Sequence, residues 1–473
     1  MNEKKPLKST HNYLSQTNIK YLYITIVIFT LCLINTFSSS SEGVIIEEVV
    51  IDEVSALTLE EALVIAVAEN PKIKNAFLEI KKADNNIWAI KTRLFPKFDF
   101  SLYEAYHLTD ESFEFEQGAF GDFPVIGPIP AETTSIETTP NFTTFITATV
   151  SQPISQLYEI SLLIKQREIQ KALYDQEFRA SVLNITDEVK NEYYKILKTQ
   201  SMLEAQNEKI VFLSSLLELV NRDVEQQRLL EKDSLEVQAR LARAEYKQFK
   251  LKNSLATQKE RFNKTLGRDI ETPFSVVSID YAEPFVVNVQ DAEGLALEQR
   301  PEIESAELDI QFAENEVSVK KSKYIPEIGV QFQYIANLNV ELLPENIATI
   351  GLFAKWDIFD WGRKQSKIAE KKKSVIQANN RLDEATSQVL IDVNSQIRNL
   401  EEATLLIGVT EIEEIAAKEN LRVVMNKYKV QGALLTQVLE AESSLEEKNS
   451  DRQKAILDYW SARANLDRAI GEN

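Results

Sequence analysis

The sequence predicts a mainly α-helical, internally duplicated chain that carries four β-strands, two in each copy. Three observations predict it. One stretch occurs twice: Asn70-Pro71 opens a segment running to Phe95-Pro96, and Arg300-Pro301 opens another running to Ile325-Pro326. The two Pro-to-Pro intervals are equal in length. The copies align without a gap at an offset of 230, with nine identities in 26 positions, among them Ile73/Ile303, Ala76/Ala306, Ala83/Ala313 and Asn85/Asn315. Second, no proline occurs between Pro153 and Pro273 or after Pro344, and these blocks are rich in Ala, Leu, Glu, Lys and Gln. Such a composition, uninterrupted, makes very long helices. Third, the apolar period changes from 3.5 to 2 after Pro96 and again after Pro326, which converts a helix seam into strand alternation.

The N-terminus reads as a secretory signal at 1–41. Lys4, Lys5, Lys8 and Lys20 precede or border an apolar run of 14, Tyr21 to Ile34, and Ser38 to Ser41 offers small residues for cleavage. The run is too short for an ordinary membrane span, although an uncleaved anchor is the other reading. Phe29-Thr30-Leu31 before Cys32 lacks the small residues expected ahead of a lipidated cysteine. Residues 42–56 form an acidic, extended linker. Thr58 with Glu61 suits a capping box for a short helix, Leu59 to Glu69.

The first copy spans 57–267. Ile73, Ala76, Ile80, Ala83, Ile87, Ile90 and Leu94 step by three and four, a coiled-coil seam. Pro71 suits a first helical turn, and Pro96 stops the helix. Strands follow at about 98–106 and 142–154, separated by a solvated acidic loop at 108–141 that has no Lys or Arg. The long helices after them carry Ile196, Leu203, Ile210, Leu217 and Val224 every seventh residue, then Leu235, Ala242, Phe249 and Ala256. A connector at 268–292 leads to the second copy at 293–471, with strands at about 328–336 and 347–359. Its helical seams run through Val393, Ile397, Leu400 and Ile407, then Val438, Leu445, Tyr459 and Leu466. Gly267 aligns with Gly471 at an offset of 204. The drop from 230 is the longer first loop, as duplication and loop divergence would give.

The four strands are about ten residues long, apolar on one face and polar on the other, and Trp356, Phe359 and Trp361 cluster at one end. That pattern fits transmembrane β-barrel strands with an aromatic girdle. It fits a soluble antiparallel sheet over a core equally well.

Chemistry is sparse. The formal charge is −20, and removing residues 1–41, with four Lys and one Glu, makes it −23. Nucleic acid is excluded as a partner by that sign. The remaining chain has no cysteine and one histidine, His107, so no cofactor, metal site or disulfide is expected. His107 reads as a surface residue. Ser318 and Lys321 match Ser-x-x-Lys, but they lie on the repeated coiled-coil helix, where coincidence explains them.

The order of elements, with Asn70-Pro71, Arg300-Pro301, Phe95-Pro96 and Ile325-Pro326, resembles the TolC family of outer-membrane channel-tunnels. Asp357-Ile358-Phe359-Asp360-Trp361-Gly362-Arg363 after a strand and Val438-Leu439-Glu440-Ala441-Glu442 on the last helix carry the resemblance further. It covers nearly all of the chain from Leu57 to Gly471. It implies a homotrimer with four strands per chain in a shared 12-stranded β-barrel, set in outer-membrane lipid and continued by a periplasmic α-helical barrel, with 108–141 extracellular. The implied localisation is the outer membrane of a Gram-negative bacterium. The implied function is a passive, non-enzymatic exit duct of a tripartite efflux pump or type I secretion system, docked on a periplasmic adaptor and an inner-membrane pump. A periplasmic coiled-coil scaffold without a pore is the alternative.

The resemblance also places the gate at the hairpin turns. Tyr428 matches a tyrosine that helps hold the closed tip. Glu440 matches the inner of two acidic positions at the pore entrance, and Gln437 stands at the other. Leu229, Leu230, Gln431, Gly432 and Ala433 would be the adaptor-contacting tips. Gln431 occupies the expected place of a tip glycine, which follows as Gly432. Ala433 falls where some members carry a gating arginine.

Overall fold

The computed structural model describes residues 56–109, 112–137, 142–278, 287–338 and 344–472. The expected signal peptide and nearly all of the 42–56 linker lie outside the described residues.

One order of elements occurs twice. The first copy comprises α1 (Leu59–Glu69), α2 (Pro71–Lys91), β1 (Lys97–Tyr106), β2 (Phe142–Pro153), α3 (Gln156–Glu225) and α4 (Glu231–Leu266). The second comprises α5 (Val289–Gln299), α6 (Pro301–Ser322), β3 (Glu327–Leu338), β4 (Asn346–Lys355), α7 (Arg363–Lys429) and α8 (Leu435–Ile470). At 1.5 Å per residue α3 is about 105 Å long. No helix among the described residues is long and apolar enough to cross a membrane.

Local chemistry explains the boundaries. Thr58 Oγ1 accepts from the Glu61 N–H at 3.2 Å, and the Glu61 carboxylate accepts from the Thr58 N–H at 2.9 Å. This reciprocal cap satisfies two donors that the helix leaves free. Asn70 ends α1 and caps α2, its Oδ1 accepting from the Lys72 N–H at 2.8 Å. Arg300 stands at the equivalent break and pairs instead with Glu302 at 2.8 Å and Asp392 at 3.5 Å.

Each break is the seat of a glycine. Gly267 ends α4 at φ +78° and Gly471 ends α8 at φ +94°, the left-handed conformation that glycine adopts cheaply. A Cβ on Gly267 would lie 2.4 Å from the Glu69 carbonyl oxygen, and one on Gly471 would lie 3.1 Å from Gln299 Cβ. Asn70 Nδ2 also donates to the Thr265 carbonyl at 2.7 Å. The last helix of each copy is thus locked against that copy's first break.

The strands form one antiparallel sheet in the order β4-β3-β2-β1. Its register makes continuous rows. Phe98 pairs with Val150, which pairs with Phe332, which pairs with Ile350; Phe100, Ala148, Tyr334 and Ala348 form the next row. Paired residues share a face, so one face is apolar from edge to edge. The other carries Asp99, Thr149, Gln333 and Thr349 in one row. The apolar face is uncovered: Phe98 is 75%, Ile350 77% and Leu352 78% exposed.

Two expectations are corrected. The strand expected at 347–359 stops at Lys355. Lys355 pairs with Glu327, the first residue of β3, and Pro326 before it has no N–H with which to extend the ladder. Trp356, Phe359 and Trp361 therefore lie beyond the strand, in the turn to α7, where the Asp360 carboxylate accepts from the Lys364 N–H at 3.0 Å. The loop at 108–141 contains two short hairpins, Ser112–Phe115 with Thr134–Glu137 and Asp122–Phe123 with Gly127–Pro128. On α4 the seam residues Leu235, Ala242, Phe249 and Ala256 face outward from the single chain, and Val237, Ala244 and Phe262 face its core. The helix carries two apolar stripes, and spacing by sevens does not say which one the chain uses internally.

The buried residues form three clusters. One joins α5, α6, α7 and α8 around Val393, Ile397, Leu400, Tyr459 and Leu466. Its counterpart joins α1, α2, α3 and α4 around Val189, Tyr193, Ile196, Phe262 and Leu266. There Tyr193 donates to the Val277 carbonyl at 2.7 Å and accepts from the Val277 N–H at 3.0 Å. That bond pins the connector where Ser275–Val276 runs parallel to Ala56–Leu57. The third cluster joins the two hairpins of long helices near their turns.

The glycine joint makes a graded prediction. Gly267→Ala should cost about 3 kcal/mol and Gly471→Ala about 1 kcal/mol, since only the first adds a severe clash to the left-handed strain. Thermal unfolding of the two purified variants measures the order, and equal losses would contradict it.

Candidate functional site

The α3–α4 and α7–α8 hairpins turn through matching geometry. Gln227 and Gln431 both adopt positive φ, at 57° and 60°. They stand at the same offset that aligns Gly267 with Gly471. In the second turn the Gln431 N–H donates to the Tyr428 carbonyl at 2.9 Å, and the Gly432 N–H donates to the Lys427 carbonyl at 2.7 Å. Gln431 thus takes the left-handed position itself, and Gly432 does not. Three exposed apolar residues crown the turns: Leu230, Val430 and Leu434. The sequence reading missed Val430 and Leu434, although Leu434 is the repeat counterpart of Leu230 at that same offset.

The expected gate residues separate. Tyr428 is buried with Leu213, Leu216, Val220, Val237 and Leu439. Its hydroxyl has no hydrogen-bond partner among the described residues. Burial, with Asp223 and Asp233 nearby, pushes its pKa above the ordinary value. Gln437 is turned back on its own helix, its Oε1 accepting from the Leu434 N–H at 3.1 Å. Asp233 does the same for Leu230 at 3.1 Å in the first hairpin. Glu440 is exposed and borders a shallow groove with Lys427, Gly432, Ala433 and Gln437. Leu229 and Ala433 pack partly against the buried cluster.

A charged cluster ties the two hairpins together just behind the turns. Lys209 on α3 reaches Glu442 on α8 at 3.0 Å, and Lys209 and Lys247 both bond Glu446. Arg240 donates to Ser443 Oγ at 3.1 Å. Sequence reasoning missed this cluster, because its members come from opposite halves of the chain and each sits on an acidic or basic helix face.

The girdle residues are exposed at the opposite end of the helices. Trp361 is 90% exposed, with positive φ, and its ring meets Phe359 edge-on at 4.9 Å. At the far end of the sheet Tyr106 packs on Phe142 at 5.0 Å, a second aromatic level that the sequence reading did not single out. His107 Nε2 lies 2.9 Å from Thr143 Oγ1. Ser318 donates to the Glu314 carbonyl at 3.2 Å, in ordinary helical back-bonding.

The charged cluster carries a pH dependence. Burial raises the Glu446 pKa, but hydrogen bonds from Lys209 and Lys247 outweigh it and leave the carboxyl below its ordinary value. A lowered acid pKa contributes stability above the unfolded value and loses it as pH falls through the folded one. Glu446→Gln should therefore destabilise the protein by about 1 kcal/mol at neutral pH. The difference from wild type should fade below pH about 4. Thermal unfolding across pH measures it, and a constant difference would contradict the assignment.

The outer membrane efflux protein family model matches residues 62–268 and 294–472, one span in each copy. A search of curated proteins finds no match. Solved structures share the fold. VceC of Vibrio cholerae is 15% identical with a TM-score of 0.69, covering 88% of this chain and 96% of that one. CmeC of Campylobacter jejuni is 13% identical with a TM-score of 0.72, covering 87% and 85%. The open-state MtrE channel of Neisseria gonorrhoeae is 14% identical with a TM-score of 0.67, covering 88% and 89%. Since the family model spans most of both copies, this chain belongs to the outer membrane efflux protein family and is an outer-membrane exit duct for efflux.

Proposed function

We propose that three copies of the chain form a passive, non-catalytic duct for small molecules, with a 12-stranded barrel in the outer membrane and a helical barrel in the periplasm. The observation that carries this reading is the sheet. Its apolar face is exposed from edge to edge, and among the described residues β1 and β4 have free edges. A bare sheet of this kind suits lipid once further strands close it. It does not suit the pore-free periplasmic scaffold, which would expose the same surface to water.

The second apolar stripes suit contacts between copies. Leu235 and Phe249 on α4, and Ile391, Leu405 and Ile412 on α7, are exposed in one chain and spaced by multiples of seven. The turns at Leu229, Leu230, Gln431, Gly432 and Ala433 are the proposed docking points for a periplasmic adaptor, which links the duct to an inner-membrane pump. Tyr428 anchors the turn from inside. Glu440 rings the pore entrance, where three carboxylates would concentrate cations.

A deletion strain of the source bacterium tests the duct. Retention of dyes, antibiotics and divalent metals should rise and return to normal with the wild-type copy. Unchanged retention with one secreted protein missing from the medium would assign the chain to type I secretion instead. In planar bilayers Glu440→Ala should lower cation selectivity and weaken block by multivalent cations. An unchanged reversal potential and block would remove Glu440 from the entrance.

A further inference from the structure

A pocket of ≈ 280 Å³ lies where the sheet meets the helices, between the start of α3, the end of α6, the end of β4 and the start of α7. Lys320, Lys323, Lys355, Arg363, Lys364 and Lys367 line it, against three carboxylates, Glu159, Glu327 and Asp357. In a chain of net charge −20 that is a local inversion of sign. Part of this charge is already used. Lys323 pairs with Glu159 at 2.7 Å, Lys364 donates to the Asp357 carbonyl at 3.1 Å, and Lys367 pairs with Glu370 at 2.9 Å. The Lys355 side chain has no hydrogen-bond or ion-pair partner among the described residues. Arg363 has its nearest carboxylates only at 3.9 and 4.0 Å. The Lys320 side chain makes no hydrogen bond or close ion pair among the described residues, and its charge acts only at longer range on Glu370. Three cations thus face one small pocket with their charge largely unspent.

The depth of the pocket decides the ligand. The four strands, of 10 or 12 residues each, are long enough to cross the hydrocarbon layer when tilted. Their helix-side ends therefore lie at headgroup level, and the pocket is built at those ends. Trp356, which lines it, is exposed, and Ile358, Phe359 and Trp361 follow it, exposed as well. Aromatic side chains favour this level of a bilayer. A free phosphate would use the cations alone. A lipid would use the cations for its phosphate and the apolar shelf for the start of its acyl chains.

We propose that this pocket binds the phosphate of an anionic phospholipid headgroup in the periplasm-facing leaflet of the outer membrane. The proposal rests on the membrane placement of the sheet and requires no transport activity. Purified full-length protein is equilibrated with mixed micelles of phosphatidylglycerol and phosphatidylcholine in equal amounts, and retained lipid is counted by native mass spectrometry. Wild type should prefer phosphatidylglycerol by about fivefold or more. The triple variant Lys320→Gln, Lys355→Gln, Arg363→Gln should bring the ratio near unity. The charge-preserving triple Lys320→Arg, Lys355→Arg, Arg363→Lys should keep the preference. So should Lys250→Gln with Lys252→Gln, two exposed positions on α4 outside the pocket.

Parity in wild type, or an unchanged preference in the glutamine triple, overturns the proposal. Complete displacement of the lipid by inorganic phosphate, where sodium chloride of the same ionic strength leaves it bound, also overturns it, since the site would then take phosphate and not lipid. Should the glutamine triple fail to fold, wild type decides alone: its preference must fall as sodium chloride is raised, and a salt-independent preference overturns the proposal. None of these readouts involves export, so loss of lipid selectivity leaves the efflux reading standing, and loss of efflux leaves the lipid result standing.

Discussion

Unpaired backbone at the two edges of the sheet constrains everything else. Each free N–H or C=O in hydrocarbon costs several kcal/mol. Among the described residues β1 and β4 have no outer neighbour. A single copy is therefore incomplete as a membrane structure, whatever the quality of its own packing. The long helices continue directly from the strands and must follow whatever curve closes the sheet. This gives a reason for two apolar stripes on α4. Val237, Ala244 and Phe262 serve the chain's own core, and Leu235 and Phe249 are left for a neighbour in the proposed assembly.

Within the chain, duplication solves one mechanical problem twice. Each copy must turn a short helix into a long element without losing alignment. Both do so with a proline at the first turn of the new helix and a left-handed glycine wedged against the break. The glycine needs its missing Cβ as much as its φ, because the Glu69 carbonyl occupies that space in the first copy. The tip turns show the opposite choice. Gln227 and Gln431 accept left-handed strain where glycine would relieve it, which leaves each turn with a polar side chain at its exposed apex.

Much of this was legible in the sequence, and the reasons it was legible are local. The capping box at Thr58 and Glu61, the proline stops and the strand alternation each depend on residues a few positions apart. The offset alignment revealed the repeat without any knowledge of contacts. What was not legible depends on long-range partners. The end of β4 at Lys355 is set by Pro326, just ahead of the facing strand. The hairpins at 112–137 are short and surrounded by turn-forming residues, so their alternation does not stand out. The family resemblance puts Gln437 at an expected entrance position, yet its amide oxygen accepts from the N–H that opens its own helix. The Lys209, Lys247, Glu442 and Glu446 cluster needs two hairpins to meet before it exists. Which neighbour the α4 seam meets was not legible either, because heptad spacing is the same for a seam within a chain and a seam between chains.

The two breaks were built alike and then furnished differently. Asn70 holds the first with neutral amide hydrogen bonds, to Lys72 and Thr265. Arg300 holds the second with carboxylates on Glu302 and Asp392. These respond to temperature in different ways, because the penalty for stripping water from charged groups falls on warming. A neutral amide bond gains nothing comparable. On that ground the Arg300 joint should loosen less on warming than the Asn70 joint, a difference that one residue introduced between two copies of the same break.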